Sequence, residues 1–211
     1  MLVSGAGTTL QGLIDACARG EVPAQIVLVA SDVPDAFAVD RARRAGIPTV
    51  ALDRRTYASA AAFEAALRDA LRAARAELVC LAGFLRILSP AFVDAFAGRI
   101  MNIHPSLLPA FGGKGMYGDR VHEAVLRSGV RVTGCTVHFV TAVPDAGPIV
   151  AQATVPVEDD DIAADLSARV RREELRLYPR AVRLFAEGRL RIEGNRVRVL
   201  PPVSAGAPRP R

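Results

Sequence analysis

The sequence predicts an α/β protein: an open, mostly parallel twisted sheet with helices on both faces, in a Rossmann-like arrangement, and antiparallel strands toward the C-terminal half. Three observations carry this. Short β-branched runs alternate with amphipathic stretches through the first half of the chain, which is the pattern of βαβ units. Gly20, Gly46 and Gly98 follow helical stretches, where left-handed backbone makes glycine the preferred terminator. Past Pro105 the alternation gives way to two β-rich runs separated by a short turn, which fits an antiparallel pair.

Taken in order, the chain opens on Met1-Leu2-Val3, short for the first strand such a sheet needs, so the start is expected to be truncated or mis-assigned. Strands are expected at residues 25–30, 49–52, 78–82 and 100–103, and helices near 10–19, 36–45, 59–75 and 90–96. A glycine-rich loop at 111–118 then leads to a helix near 119–127 and a strand run at 131–140. The turn Pro144-Asp145-Ala146-Gly147-Pro148 introduces a further strand at 149–155. Asp160 or Asp161 is placed to cap a long helix reaching about residue 187, with Ile162, Leu166, Val170 and Leu177 roughly on one face. These elements make a single domain over 1–190, followed by an extension at 191–211 whose proline-rich end, from Pro201, is expected to be disordered. No internal repeat is present.

The 211 residues suffice for a substantial core, and no apolar run reaches the roughly 20 residues that span a bilayer. Met1-Leu2-Val3-Ser4-Gly5 lacks the basic and apolar segments of a secretory signal, so a cytoplasmic protein without a membrane partner is expected. Cys17, Cys80 and Cys135 are odd in number and widely spaced among apolar neighbours, as buried thiols are. The net charge of +5 comes from many arginines and a single lysine, Lys114. Scattered over helix faces, they form no basic stripe with interleaved aromatics, so no nucleic-acid partner is expected; a positive field still favours anionic small ligands.

Three segments carry chemistry. Ser4-Gly5-Ala6-Gly7-Thr8-Thr9-Leu10-Gln11 joins a strand end to a helix start, where backbone amides favour an anion. It serves equally as a tight turn, and Leu10 stands where the third glycine of a dinucleotide fingerprint belongs. In Met101-Asn102-Ile103-His104-Pro105 the period of an extended chain puts Asn102 and His104 on one face and turns Ile103 into the core. The strand ends at Pro105, so this polar pair sits where ligands bind in open α/β sheets; an Asn capping a turn beside a satisfied core His is the plainer alternative. Asp145 lies in a punctuated turn, where Asp is ordinarily a turn former and can also be a rigidly held carboxylate.

Together with Leu81-Ala82-Gly83-Phe84-Leu85-Arg86-Ile87-Leu88-Ser89, Asn102-Ile103-His104-Pro105-Ser106-Leu107-Leu108-Pro109, His138-Phe139-Val140 and Asp145-Ala146-Gly147-Pro148, the N-terminal glycine loop resembles the folate-dependent formyltransferases, and among them the phosphoribosylglycinamide formyltransferases. The resemblance runs in order from Ser4 to about Leu190. It implies formyl transfer from 10-formyltetrahydrofolate, as co-substrate and without a metal, to the amine of glycinamide ribonucleotide in purine biosynthesis, by a monomer or homodimer. Asn102, His104 and Asp145 match the catalytic trio. The chemistry agrees: an Asn amide suits a developing oxyanion, a His can shuttle the amine proton, and a carboxylate orients the imidazole and stabilises its cation. The resemblance further implies that Gly7, Thr8 and Thr9 hold the phosphate and Glu174 the ribose, with Arg171 at a substrate-binding position. The N-terminal half would thus bind phosphate. The folate pocket, with Asn102 at its edge, would be lined by Leu85, Arg86, Ile87 and Leu88 and by Thr141, Ala142, Val143 and Pro144, the latter set from the C-terminal half. Thr9 stands where the family commonly has Asn, Ala60 where it often has Arg and Arg171 where it often has Gln, and Val143-Pro144 stiffens the folate loop.

Methionyl-tRNA formyltransferase and formyltetrahydrofolate hydrolase share the trio. The first normally carries an extra C-terminal domain and the second an N-terminal regulatory one, and neither is expected to fit in this chain. A metal hydrolase built on His104, His138 and Asp145 would lack the close His spacing of zinc sites. A nucleotide-binding module would bind phosphate without turnover.

Overall fold

A computed structural model describes residues 1–202. They form one sheet of nine strands in the order β3-β2-β1-β4-β5-β6-β7-β9-β8. Parallel pairing joins β1 (Leu2–Val3), β2 (Val29–Ser31), β3 (Thr49–Ala51), β4 (Val79–Leu81) and β5 (Ile100–His104). Beyond β5 the pairing reverses: β6 (Val132–Phe139) runs antiparallel to β5, and β7 (Ile149–Pro156) antiparallel to β6, with an irregularity between Val137 and His138. The helices are α1 (Thr8–Ala18), α2 (Phe37–Arg44), α3 (Ala60–Ala73), α4 (Pro90–Ala95), α5 (Asp119–Ser128) and α6 (Ala163–Ala186).

Strand alternation divides the core between the two faces of the sheet. Val3, Cys80, Met101 and Ile103 pack with Leu10, Leu13, Val125, Leu166 and Tyr178 of α1, α5 and α6 on one face. Leu2, Val79, Leu81 and Ile100 pack with Phe63, Leu67 and Phe92 of α3 and α4 on the other. Two helix starts carry side-chain caps: Ser59 Oγ accepts from Ala62 N at 3.1 Å at the head of α3, and Ser89 Oγ from Phe92 N at 3.2 Å ahead of Pro90 in α4.

Three expectations change. The strand placed at 25–30 is the shorter β2, because the register pairs Leu2 with Ala30 and leaves the segment before Leu28 without a neighbouring strand. Its flank, with residues 75–78 and the buried Met1 amino group, which donates to Leu28 O at 2.8 Å, lines a cavity of about 430 Å³. The cap of α6 is neither Asp160 nor Asp161: the helix begins after Ile162, and Asp161 instead accepts from Glu158 N at 2.8 Å and holds Arg169 at 2.6 Å. Residues past 190 add a hairpin, β8 (Leu190–Glu193) with β9 (Arg196–Val199), and β9 pairs with β7 at Ile149↔Arg196. The expected disorder of the proline-rich end lies, from residue 203, outside the described residues.

Candidate active site

The C-terminal ends of β1, β4 and β5, with the turn that follows β6, surround a cavity of about 600 Å³. Its walls bring together the three segments singled out in the sequence and the stretch at 81–89 that carried part of the resemblance.

The first wall is the start of α1. Gly7 caps the helix at φ 71°, left-handed backbone that favours glycine, and a Cβ there would point into Ala38 of α2. Thr8 and Thr9 line the cavity; Gly7 does not, so any contact it makes is through its backbone. Arg171 and Glu174 of α6 close this end, one helical turn apart. Burial pushes the Glu174 carboxyl up to about 7, against the opposing pull of the Arg171 guanidinium.

The second wall is the loop after β4. Leu85 and Ile87 stand 61 % and 60 % exposed, whereas Leu88 is buried in the core. Two apolar side chains left open beside a cavity make a surface for a flat apolar ligand. Arg86 is committed elsewhere: its Nε donates to Asp32 Oδ2 at 2.5 Å, and its guanidinium lies 5.6 Å from the Phe63 ring centroid. Ser4 Oγ donates to Asp32 Oδ1 at 2.5 Å and accepts from Leu85 N at 3.1 Å, tying the first wall to the second. Ala60, at the head of α3, does not line the cavity.

The third wall holds the polar cluster. Asn102 and His104 share one face of β5, as the alternation predicts, and Ile103 enters the core on the other. The antiparallel register sets His138 of β6 directly opposite Asn102. His138 Nδ1 lies 3.0 Å from Phe139 O, and a carbonyl can only accept, so Nδ1 carries the hydrogen. Burial keeps this imidazole below the usual histidine range and therefore neutral, which leaves Nε2 as an acceptor for Asn102 Nδ2 at 3.2 Å. One N–H of the Asn102 amide is thereby directed and the other remains for a ligand.

Asp145 reaches the cluster from the turn after β6. Gly147 lets that turn close on the sheet, since a Cβ there would overlap the carbonyl of Phe139. Asp145 itself sits at φ 55°, a conformation that Asp tolerates better than most residues. Its Oδ2 accepts from Gly113 N at 2.8 Å. Oδ2 lies 3.6 Å from His104 Nδ1, and Oδ1 lies 3.6 Å from His138 Nε2. Both distances are longer than hydrogen bonds, and either becomes an ion pair only when its imidazole is protonated. Thr141, Ala142 and Pro144 line the cavity beside Asp145; Val143 does not, its side chain pointing to solvent at 62 % exposure.

The structure thus gathers Asn102, His104 and Asp145 with Thr8, Thr9, Leu85, Ile87 and Glu174 around one space. Sequence reasoning gave His138 no role of its own beyond the matching His138-Phe139-Val140 stretch and the metal-hydrolase alternative, and read the glycine-rich 111–118 segment only as a loop. His138 earns its position through a cross-strand register that no local pattern reveals. Lys114, the one lysine of the chain, also lines the cavity, and its isolation among glycines was the available clue.

The sequence model of the family described as formyl transferase matches residues 1–182. The phosphoribosylglycinamide formyltransferase of Haemophilus influenzae is 40 % identical over 195 residues, covering 92 % of this chain and 90 % of that protein. The trifunctional purine biosynthetic protein adenosine-3 of Bos taurus is 44 % identical over 92 % of this chain, which spans only 19 % of that longer protein. Glycinamide ribonucleotide transformylase 1 from Symbiobacterium toebii superposes with a TM-score of 0.90 at 50 % identity, covering 95 % of this chain and 92 % of that one. With a family match along most of its length and relatives of its own size above 30 % identity, the chain belongs to the formyl transferase family.

Proposed function

We propose that the protein transfers a formyl group from 10-formyltetrahydrofolate to the amine of glycinamide ribonucleotide, giving formylglycinamide ribonucleotide in de novo purine biosynthesis. The observation that carries this reading is the placement of Asn102, His104 and Asp145 between a helix N-terminus suited to a phosphate and an exposed apolar wall suited to a pterin.

In this reading the phosphate of the ribonucleotide meets the amides of Gly7, Thr8 and Thr9, with Arg171 adding a cation, and Glu174 accepts the ribose hydroxyls. The folate ring lies against the loop of Leu85, Arg86, Ile87 and Leu88 and the turn of Thr141, Ala142 and Pro144, while Val143 points to solvent. Arg86 contributes through its backbone, since Asp32 holds its guanidinium. The amine nitrogen attacks the formyl carbon, a C–N bond forms, and the carbonyl electrons move onto oxygen. The N–H of Asn102 left over from His138 donates to that oxyanion. His104 takes a proton from the attacking nitrogen and delivers it to the folate nitrogen as the old C–N bond breaks. Asp145 opposes the positive charge that His104 carries between those transfers.

Incubating the protein with glycinamide ribonucleotide and a 10-formyl folate tests this. Deformylated folate should appear only when both are present, with a matching amount of formylated ribonucleotide. Folate deformylated at the same rate without the ribonucleotide would instead make the protein a hydrolase.

A further inference from the structure

The segment Phe111-Gly112-Gly113 touches both members of the His104–Asp145 pair through its backbone. Phe111 O lies 2.9 Å from His104 Nε2, and Gly113 N donates to Asp145 Oδ2 at 2.8 Å. Because a carbonyl only accepts, Nε2 carries a hydrogen and is spent on the protein. The segment is itself braced: Ser106 Oγ, fully buried, donates to Ala110 O at 2.6 Å. Phe111 is held at φ 55°, which is costly for a side chain with a Cβ and persists only where its surroundings enforce it.

We propose that this segment is a backbone clamp that fixes His104 as the Nε2–H tautomer, so that Nδ1 is the nitrogen that gains and loses the transferred proton, and that Gly112 is the positioning residue that makes the clamp possible. The proposal rests on the formyl-transfer reading for the identity of the proton's source and destination, but the tautomer itself does not depend on any substrate.

Gly112 earns that role by what a side chain would meet. Its φ is not positive, so alanine suffers no backbone strain there. A Cβ would nonetheless lie 3.2 Å from Asp145 Cβ and 2.5 Å from Leu108 Cδ2. The leucine contact is with the end of a flexible side chain, whereas Asp145 is fixed by its turn, so alanine presses the clamp and the carboxylate apart by a few tenths of an ångström. Opposite tautomers of the two facing histidines follow from the two carbonyls. Phe111 O leaves His104 Nδ1 without a hydrogen, 3.6 Å from Asp145 Oδ2, and Phe139 O leaves His138 Nε2 as the acceptor that Asn102 Nδ2 meets at 3.2 Å. His138 Nε2 is already engaged by Asn102, so His104 Nδ1, facing Asp145, is the imidazole nitrogen left to take up the transferred proton.

The chain has three histidines, which makes the tautomers directly readable by two-bond proton–nitrogen spectra of ¹⁵N-histidine-labelled protein, assigned with single His→Gln variants. At alkaline pH the wild type should show His104 as Nε2–H and His138 as Nδ1–H. Gly112→Ala should remove the preference at His104, lower kcat by about tenfold or more with little change in either KM, and leave the melting temperature nearly unaltered. Adding Leu108→Val to Gly112→Ala relieves the leucine contact alone and should not restore kcat. A wild-type His104 that is Nδ1–H or mixed overturns the clamp. So does a Gly112→Ala protein with native tautomer and rate, or a double variant with recovered rate. If the wild type shows the expected tautomers yet forms no formylated ribonucleotide, the substrate reading fails while the clamp stands.

Discussion

The imidazole of His104 is buried, held on one side by Phe111 O and faced on the other by Asp145, and in the proposed mechanism it acts on reacting atoms more than on ligand affinity. His104→Ala should lower kcat by about 10²- to 10⁴-fold with KM values within a few-fold of wild type, checked by steady-state kinetics on protein whose melting temperature is recorded alongside. Near wild-type turnover would remove His104 from the mechanism. Glu174 gives a prediction of a different kind. Its folded carboxyl is raised to about 7 by burial from an ordinary value of 4.5, so the folded state binds this proton more tightly than the unfolded chain does. That contribution is fully present below about pH 4.5 and is lost as pH rises through about 7. Glu174→Gln should therefore gain stability over wild type well above pH 7, by up to about 3 kcal/mol, and the gain should vanish in acid, as seen in denaturant melts across pH. An equal difference at both pH extremes would show that the carboxyl titrates normally. At this scale Asn102 and His104 were legible because extended chain has a period of two. His138 was not, because its partner Asn102 lies 36 residues away across an antiparallel register.

At the scale of elements, α6 locks the sheet at its centre. The hydroxyl of Tyr178, fully buried, reaches Leu81 O and Met101 O at 3.0 Å each, linking the helix to β4 and β5 immediately before Asn102 and His104. Tyr178→Phe keeps the ring packing and strips these carbonyls of their shared donor. We expect a loss of about 1–2 kcal/mol, or about 2–8 °C in melting temperature, together with a smaller fall in kcat as β5 loosens. A variant as stable as wild type would mean that the hydroxyl contributes nothing net. Helices such as α3 and α4 were readable because Ser59 and Ser89 cap them and glycines or prolines punctuate them. The hairpin of β8 and β9 was hidden for a physical reason: nearly all its residues are exposed, so no apolar face marks it, and it is laced by surface charges such as Arg198 with Glu193 at 3.4 Å. The start of α6 misled because Asp161, a good cap by type, is more useful to the folded chain as the partner of Arg169.

For the whole molecule the question is which acceptor the catalytic cluster serves, since the same cluster could formylate a small ribonucleotide or a charged tRNA. The excess of positive charge is spread thin. Arg19, Arg55, Arg131, Arg169 and Arg183 each pair with a nearby Asp or Glu, and among the described residues no helix is long and apolar enough to cross a membrane. The cavity of about 600 Å³ has the dimensions of a small-molecule site, with one helix N-terminus available to one phosphomonoester. A tRNA acceptor would need a broad basic face. With six to ten phosphate contacts it would lose about 10³- to 10⁵-fold in affinity between about 50 and 200 mM salt, through released counterions. A single phosphate held by amides and Arg171 releases few. We therefore expect kcat/KM for glycinamide ribonucleotide to change only a few-fold over that salt range, and Arg171→Ala to raise its KM while leaving the folate KM and kcat nearly unchanged. Formylation of methionyl-tRNA with a steep salt slope, and none of the ribonucleotide, would mean that a surface outside this cavity selects the substrate.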